Sequence, residues 1–319
     1  MSGATAAAAD HDDDVVVHDF APLLVVYRSG RVERPLALPS APPGRDAATG
    51  VLSKDVPLSA HTFARLYLPP SAAAAEQKLP VLVYVHGGGF VVGSAASAVV
   101  HRWLNALSAA CGALAVSVDY RLAPEHPVAA AYEDSLAALR WALSSGAGAD
   151  PWLAERGDPA RVFLAGESAG ANVCHSLAVR PDVRGAGIRG LLLVHPWFWG
   201  KERVGGEPRA PTVLQGLWEF LCPGAAEADD PRMNPMARGA PGLGNLACAK
   251  VMVCVAGDDV LRWRGKVYAE EAARARGPQL KVELFESEGV GHGFYLMDTA
   301  AREKAQELLD RIAAFVGEE

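Results

Sequence analysis

Continuous apolar runs recur along this chain, separated by stretches with helical spacing. Val81–Val85 is apolar and rich in β-branched residues without a break, as a strand buried on both faces of a sheet should be. Ala113–Asp119, Arg161–Ala165, Ile188–His195 and Ala249–Ala256 read the same way, and Gln279–Glu286 alternates as a final strand. Ala129–Ser145 repeats its apolar positions near every 3.6 residues and predicts a helix, and Ala171–Ala178 is compatible with another. This alternation from Leu79 onward predicts an α/β domain built on a mostly parallel sheet with helices on both faces. Ahead of it, residues 19–69 read as short antiparallel strands with turns at Ser29-Gly30 and Pro39–Gly44, and Ser71–Lys78 reads as a polar, Ala-rich loop. Trp197 to about Gly244 breaks the pattern: it is rich in Pro and Gly and carries Trp197, Phe198, Trp199, Trp218 and Phe220. An insertion of that length inside a compact domain is expected to be either a functional lid or a poorly ordered segment. The expected organisation is a tail over residues 1–18 and a single domain over 19–319, with a cap drawn from the N-terminal segment and about 197–244.

Composition narrows the classes. The formal net charge of −7 argues against a nucleic-acid surface. No run of 18 apolar residues occurs, so no membrane span is expected. Ala4–Ala9 is followed by His11 and Asp12–Asp14, which is unlike a secretory signal, and the expected address is cytoplasmic, with the nucleus also open. The five cysteines (Cys111, Cys174, Cys222, Cys248, Cys254) are odd in number and widely spaced, without a C-x-x-C, and read as reduced core residues. His11 with its aspartates reads as a solvated tail, so neither a metal nor a cofactor is expected. Oligomeric state is not legible.

The chemistry lies in three loops. Residues 166–170 read Gly-Glu-Ser-Ala-Gly between a strand run and a helix-compatible stretch, the setting of a nucleophile elbow with Ser168 at its tip. Gly166 and Gly170 are required there because a side chain would meet the neighbouring strand or helix. Glu167 is expected to support the elbow rather than react. The strand at Val81–Val85 runs into His86-Gly87-Gly88-Gly89, 82 residues before the serine. Acyl transfer builds charge on a carbonyl oxygen, and bare backbone N–H groups can be aimed at it, so Gly88, Gly89 and Ala169 are expected oxyanion donors. His86 and Gly87 orient that loop. G-x-G-x-x-G fails at Val92, and no Walker A pattern is present. A serine needs a base, and the base needs a carboxylate to fix its tautomer. His292, between Gly291 and Gly293, follows the last strand; Asp258 and Asp259 follow the strand before it. The order serine, acid, histidine fits with gaps of 91 and 33 residues to Asp259 and His292. Spacing alone leaves Asp258 and Asp259 open. His101, His126, His175 and His195 read as structural or loop residues.

Together these motifs resemble the plant carboxylesterases of the hormone-sensitive-lipase-like group of α/β-hydrolases. Further segments carry the resemblance, among them Gly50–Val56, Ala64–Pro69, Val118–Pro127, Val194–Gly200 and Asp230–Pro235, so it covers roughly residues 20–315. The group's acid lies in a stretch like A-E-x-D-x-L-R-D-R-G. Residues 256–265 match it with Asp259 as the acid, Gly257 in place of Glu and Trp263 in place of Asp. The resemblance implies the α/β-hydrolase fold and a serine carboxylesterase working through an acyl-enzyme on small esters, with short acyl chains expected. Relatives in the same group imply two rivals: a dehydratase or internal acyl transferase, and a gibberellin-receptor-like binding protein. The receptors lack the triad histidine and carry serine at the last position of the glycine loop, whereas this chain has His292 and Gly89.

Overall fold

The computed structural model describes residues 15–73, 77–144, 150–209, 212–224 and 229–318. Residues 38–319 form one compact unit and residues 1–37 another. The smaller unit carries an antiparallel sheet of β1 (Val16–Phe20), β2 (Leu24–Tyr27) and β3 (Val32–Glu33). The tail expected over residues 1–18 is therefore corrected at its end, because Val16–His18 pair with β2. Residues 1–14 of that tail lie outside the described residues.

The larger unit holds an eight-stranded sheet. In chain order its strands are β4 (Leu52–Pro57), β5 (Phe63–Leu68), β6 (Leu79–Val85), β7 (Leu114–Asp119), β8 (Gly157–Glu167), β9 (Ile188–Val194), β10 (Lys250–Ala256) and β11 (Lys281–Ser287). Their spatial order is β11-β10-β9-β8-β6-β7-β5-β4. Every pairing from β11 to β7 is parallel, and β5 and β4 add antiparallel at the far edge. The continuous apolar runs are explained by burial on both faces. Leu82, Tyr84, Met252, Cys254 and Ala256 face a core shared with α1 (Ala98–Cys111) and α8 (Arg302–Gly317), while α2 (Val128–Leu143) and α3 (Pro151–Arg156) connect β7 to β8. Val253 and Val255 face the other way, against Gly265 of α6 (Arg262–Arg276). Each fully buried aliphatic side chain contributes roughly 1.5–3 kcal/mol, which is why strands without polar positions occupy the middle of the sheet.

The segment from Trp197 to Gly244 contains a helix, α5 (Val213–Leu221). The hydroxyl of Thr212 caps it by accepting from Gln215 N–H at 3.2 Å. A buried ion pair, Arg264 Nε to Glu207 Oε1 at 2.7 Å, ties the segment to α6. The ring of Trp263 lies against the backbone of Gly205 and Gly206, where a Cβ would come within 2.4 and 2.6 Å of it. The sequence departure at Trp263 thus has a packing partner. Gly257 has one too: a Cβ there would lie 3.1 Å from Glu288 Cα, so the backbone after β10 runs close to the loop after β11.

Candidate active site

The site is built where the parallel strands end. Ser168 stands between β8 and α4 (Ala169–Ala178) with φ 51° and ψ −116°. A side-chain-bearing residue holds such a conformation only when its surroundings over-determine it, at a cost of about 1–3 kcal/mol. Here the Ser168 N–H donates to Val194 O at 3.0 Å, and its carbonyl accepts from Asn172 and Trp197 N–H, each at 3.1 Å. Asn172 is itself pinned: its amide donates to the Trp197 and Arg232 carbonyls, and its oxygen accepts from Tyr132. The flanking glycines leave no room for a side chain. A Cβ on Gly170 would sit 2.0 Å from Val85 O, and one on Gly166 would sit 2.5 Å from Gly170 O.

The glycine loop after β6 lies against this turn. A Cβ on Gly87 would be 3.2 Å from Ser168 Cβ. Gly88 and Gly89 take φ of 110° and 63°, and a Cβ on Gly88 would overlap Val92 O at 2.0 Å. The Gly88 carbonyl is fixed by the Val91 and Val92 N–H groups. Gly87 N–H is spent on Glu167 Oε1 at 3.2 Å. Among the described residues, the N–H groups of Gly88, Gly89 and Ala169 have no acceptor within the protein. Ala169 also opens α4, whose aligned peptide dipoles favour negative charge at that end. His86 is buried, stacks on Tyr120 at 4.3 Å and donates from Nδ1 to Gly87 O at 2.7 Å. Burial pushes its pKa below the ordinary value, so it stays a neutral brace for the loop. The Tyr120 hydroxyl donates to His86 O at 3.0 Å and completes that brace.

His292 Nδ1 lies 2.6 Å from Asp259 Oδ2. Of the two aspartates, Asp259 is therefore the one whose carboxylate meets the ring; Asp258 is exposed. The Leu261 N–H donates to the other oxygen of Asp259 at 2.9 Å. Burial opposes the charge on Asp259, but the His292 hydrogen bond and the Leu261 N–H together hold its pKa below the ordinary value. Desolvation also opposes a charge on His292; the bond to Asp259 and the charges of Asp259 and Glu167 outweigh it and raise that pKa. With Nδ1–H given to the carboxylate, Nε2 carries the lone pair that a base needs. The His292 side chain is 38 % exposed against 3 % for Asp259, so the ring is open to a substrate and the acid is not. Among the described residues, no hydrogen bond joins Ser168 Oγ to the ring, whose Nδ1 is engaged by Asp259.

Glu167 links all three loops. One oxygen accepts from Gly87 N–H and the other, at 2.6 Å, from the hydroxyl of Tyr295 in the helix turn α7 (Phe294–Met297) that follows His292. Sequence reading placed Glu167 as an elbow support, and its partners extend that support to the glycine loop and the histidine loop. His195 was read as structural, yet its ring centroid lies 5.5 Å from that of His292. Its sequence signal was slight: a lone histidine directly after a strand that ends beside the serine strand.

Comparison with known proteins shows the family. A family profile described as alpha/beta hydrolase fold matches residues 82–296. Tuliposide A-converting enzyme 1 of Tulipa gesneriana is 42 % identical over 314 residues, covering 96 % of this chain and 80 % of its own length. Probable carboxylesterase 13 of Arabidopsis thaliana is 39 % identical, over 95 % and 98 % of the two chains. The 2-hydroxyisoflavanone dehydratase of Glycyrrhiza echinata is 39 % identical, over 99 % and 100 %. An esterase from Pyrobaculum calidifontis superposes with a TM-score of 0.65 at 28 % identity, covering 83 % of this chain and 84 % of its own. The expected cytoplasmic address is overturned by these relatives, since the tulip enzymes at 42 % identity are chloroplastic proteins. Plastid leaders are amphipathic and lack an apolar core, so the lack of a secretory pattern carried no weight in that reading. From the profile match over most of its length and the shared identity, the chain belongs to the α/β-hydrolase fold family.

Proposed function

We propose that this chain is a serine carboxylesterase that hydrolyses small carboxylic esters with Ser168, His292 and Asp259. The observation that carries the reading is the 2.6 Å contact of His292 Nδ1 with the buried Asp259, at the same C-terminal end of the parallel strands as a serine held at positive φ. His292 Nε2 takes the Ser168 proton as Oγ attacks the ester carbonyl. The Gly88, Gly89 and Ala169 N–H groups receive the oxyanion. His292 then gives the proton to the leaving alcohol, and water repeats the sequence on the acyl-enzyme. No step calls for a cofactor or a metal.

Hydrolysis of p-nitrophenyl esters across acyl lengths, for wild type and Ser168→Ala, tests this reading. Turnover that falls with chain length and drops by at least three orders of magnitude in the variant is expected. Ester turnover retained by a folded Ser168→Ala protein would remove the serine from the mechanism. Product analysis separates the neighbouring chemistries that the relatives' names raise. An acid with an alcohol marks hydrolysis, an alkene marks elimination and a lactone marks internal acyl transfer.

A further inference from the structure

We propose that His195 is a positioning residue that holds the His292 loop in register with the nucleophile, through a hydrogen bond from Gly293 N–H to its Nδ1. The inference rests on the reading of Ser168 and His292 as nucleophile and base, and gives a role to a residue outside the triad and the oxyanion loop.

His292 sits in a loop with little stiffness of its own. Gly289 and Gly293 take φ of 70° and 65°, and the Cβ directions of Gly289, Gly291 and Gly293 open onto empty space. Such a loop lets the imidazole drift unless it is tied on both sides. One tie is Asp259 on the ring itself. Val290 O accepts from Asp258 N–H before the histidine and the Tyr295 hydroxyl donates to Glu167 after it, while the residue next to His292 is tied by its own N–H, which donates to His195 Nδ1 at 3.0 Å. A misplacement of about 1 Å can cost two orders of magnitude in rate, so the backbone tie nearest the ring should be felt in kcat.

The anchor is rigid, and it is the same piece of chain that anchors the serine. Just past β9, His195 turns to φ 46°, a conformation uncommon for residues other than Gly. Its N–H donates to Cys254 O at 2.8 Å. Residue 194 accepts from Ser168 N–H and residue 197 donates to Ser168 O. Residues 194–197 therefore hold the nucleophile by backbone and the base by the His195 ring, and a shift of one shifts the other. The ring is only 1 % exposed, wedged between His292 at 5.5 Å, Phe294 at 5.7 Å and Tyr295 at 5.6 Å.

The choice of an imidazole is also explicable. Accepting a backbone N–H on Nδ1 requires the neutral ring with its proton on Nε2. Burial, with the nearby His292 charge adding to it, holds the pKa down to about 3, so the ring accepts throughout the working range. A carboxylate in its place would add a second negative charge beside Asp259, and a cation would compete with His292 for it.

Two substitutions separate the hydrogen bond from the backbone conformation. Both His195→Gly and His195→Asn tolerate positive φ, and only Asn supplies an acceptor. His195→Gly is expected to lower kcat for p-nitrophenyl acetate 10- to 100-fold with KM within threefold, and His195→Asn to restore most of it. Both are repeated in a His292→Ala background, with thermal unfolding midpoints for every protein. There His195→Gly should cause no further loss of residual turnover, while its effect on the midpoint stays the same. An equal fold-loss in both backgrounds, or a loss carried by KM, would make His195 a packing residue only, and the proposal would fall. The same outcome follows if His195→Asn folds but restores nothing. If His292→Ala alone keeps wild-type turnover, the triad reading fails first and this inference with it.

Discussion

Replacing Asp259 by Asn changes one atom and reverses a tautomer. The Leu261 N–H, a pure donor, already occupies Asp259 Oδ1 at 2.9 Å, so the oxygen of the new amide must stay there. Its NH2 then faces His292 Nδ1, where a carboxylate oxygen now lies at 2.6 Å. Two donors cannot share that contact, so Nδ1 becomes the acceptor and the ring proton moves to Nε2. That is the atom meant to take the proton of Ser168. The charge that stabilises the imidazolium is lost in the same step. Loss of tautomer and charge together is worth about 10³–10⁴ in kcat, or roughly 4–5.5 kcal/mol of barrier. Asp259 is buried and touches no substrate, so KM should stay within about threefold. The assay is p-nitrophenyl acetate hydrolysis near pH 8, with Asp258→Asn as the control. Asp258 is exposed and its backbone N–H donates to Val290 O, a bond that a side-chain change leaves in place, so that control should keep most of the activity. A folded Asp259→Asn enzyme with more than a tenth of wild-type kcat would refute the reasoning, as would an equal loss in the control.

Three further outcomes follow from the same geometry. Because the folded His292 pKa is raised above 6.5, kcat/KM should fall on the acid side with a midpoint above that value, and Asp259→Asn should move the midpoint down; a pH profile reads both. His175 and His195 are held neutral down to about pH 3 by burial. The unfolded chain takes up protons near 6.5 that the fold refuses, so stability is full above that pH and is lost as pH falls from about 6.5 toward 3. Each ring removes about 1.4 kcal/mol per pH unit, which urea midpoints at pH 7 and 5 should register. Gly170→Ala would drive a Cβ to 2.0 Å from Val85 O, backbone against backbone. It should lower the unfolding midpoint by about 1–3 kcal/mol equivalent and cut kcat at least 100-fold by prising the elbow from the glycine loop; near wild-type rates would show that the elbow has room to spare.

The parts legible in the sequence were those written locally. Val81–Val85 and Lys250–Ala256 could be read because strands buried on two faces have no polar positions to confuse the period. Gly166, Gly170 and Gly88 could be read because the backbone they adopt excludes other residues. What escaped depends on contacts across long separations. His195 meets Gly293 only because β9 and β10 are neighbours and the loop after β11 folds back. The second oxygen of Glu167 finds Tyr295, 128 residues on. Helix α5 inside the Pro- and Gly-rich insertion had a local sign, Thr212 three residues before Gln215, that is easily lost among turn residues. Trp263 reads as a departure in sequence, and its partners Gly205 and Gly206 become evident only once α6 packs on the insertion.

The central claim is that Ser168 forms a covalent acyl-enzyme, and intact-mass and peptide analysis after rapid acid quench of a p-nitrophenyl acetate reaction tests it most directly. One acetyl group per chain is predicted, located on the peptide containing Gly166–Gly170 and absent in Ser168→Ala. Steady hydrolysis with no adduct on that peptide, or an adduct on another residue, would contradict the account.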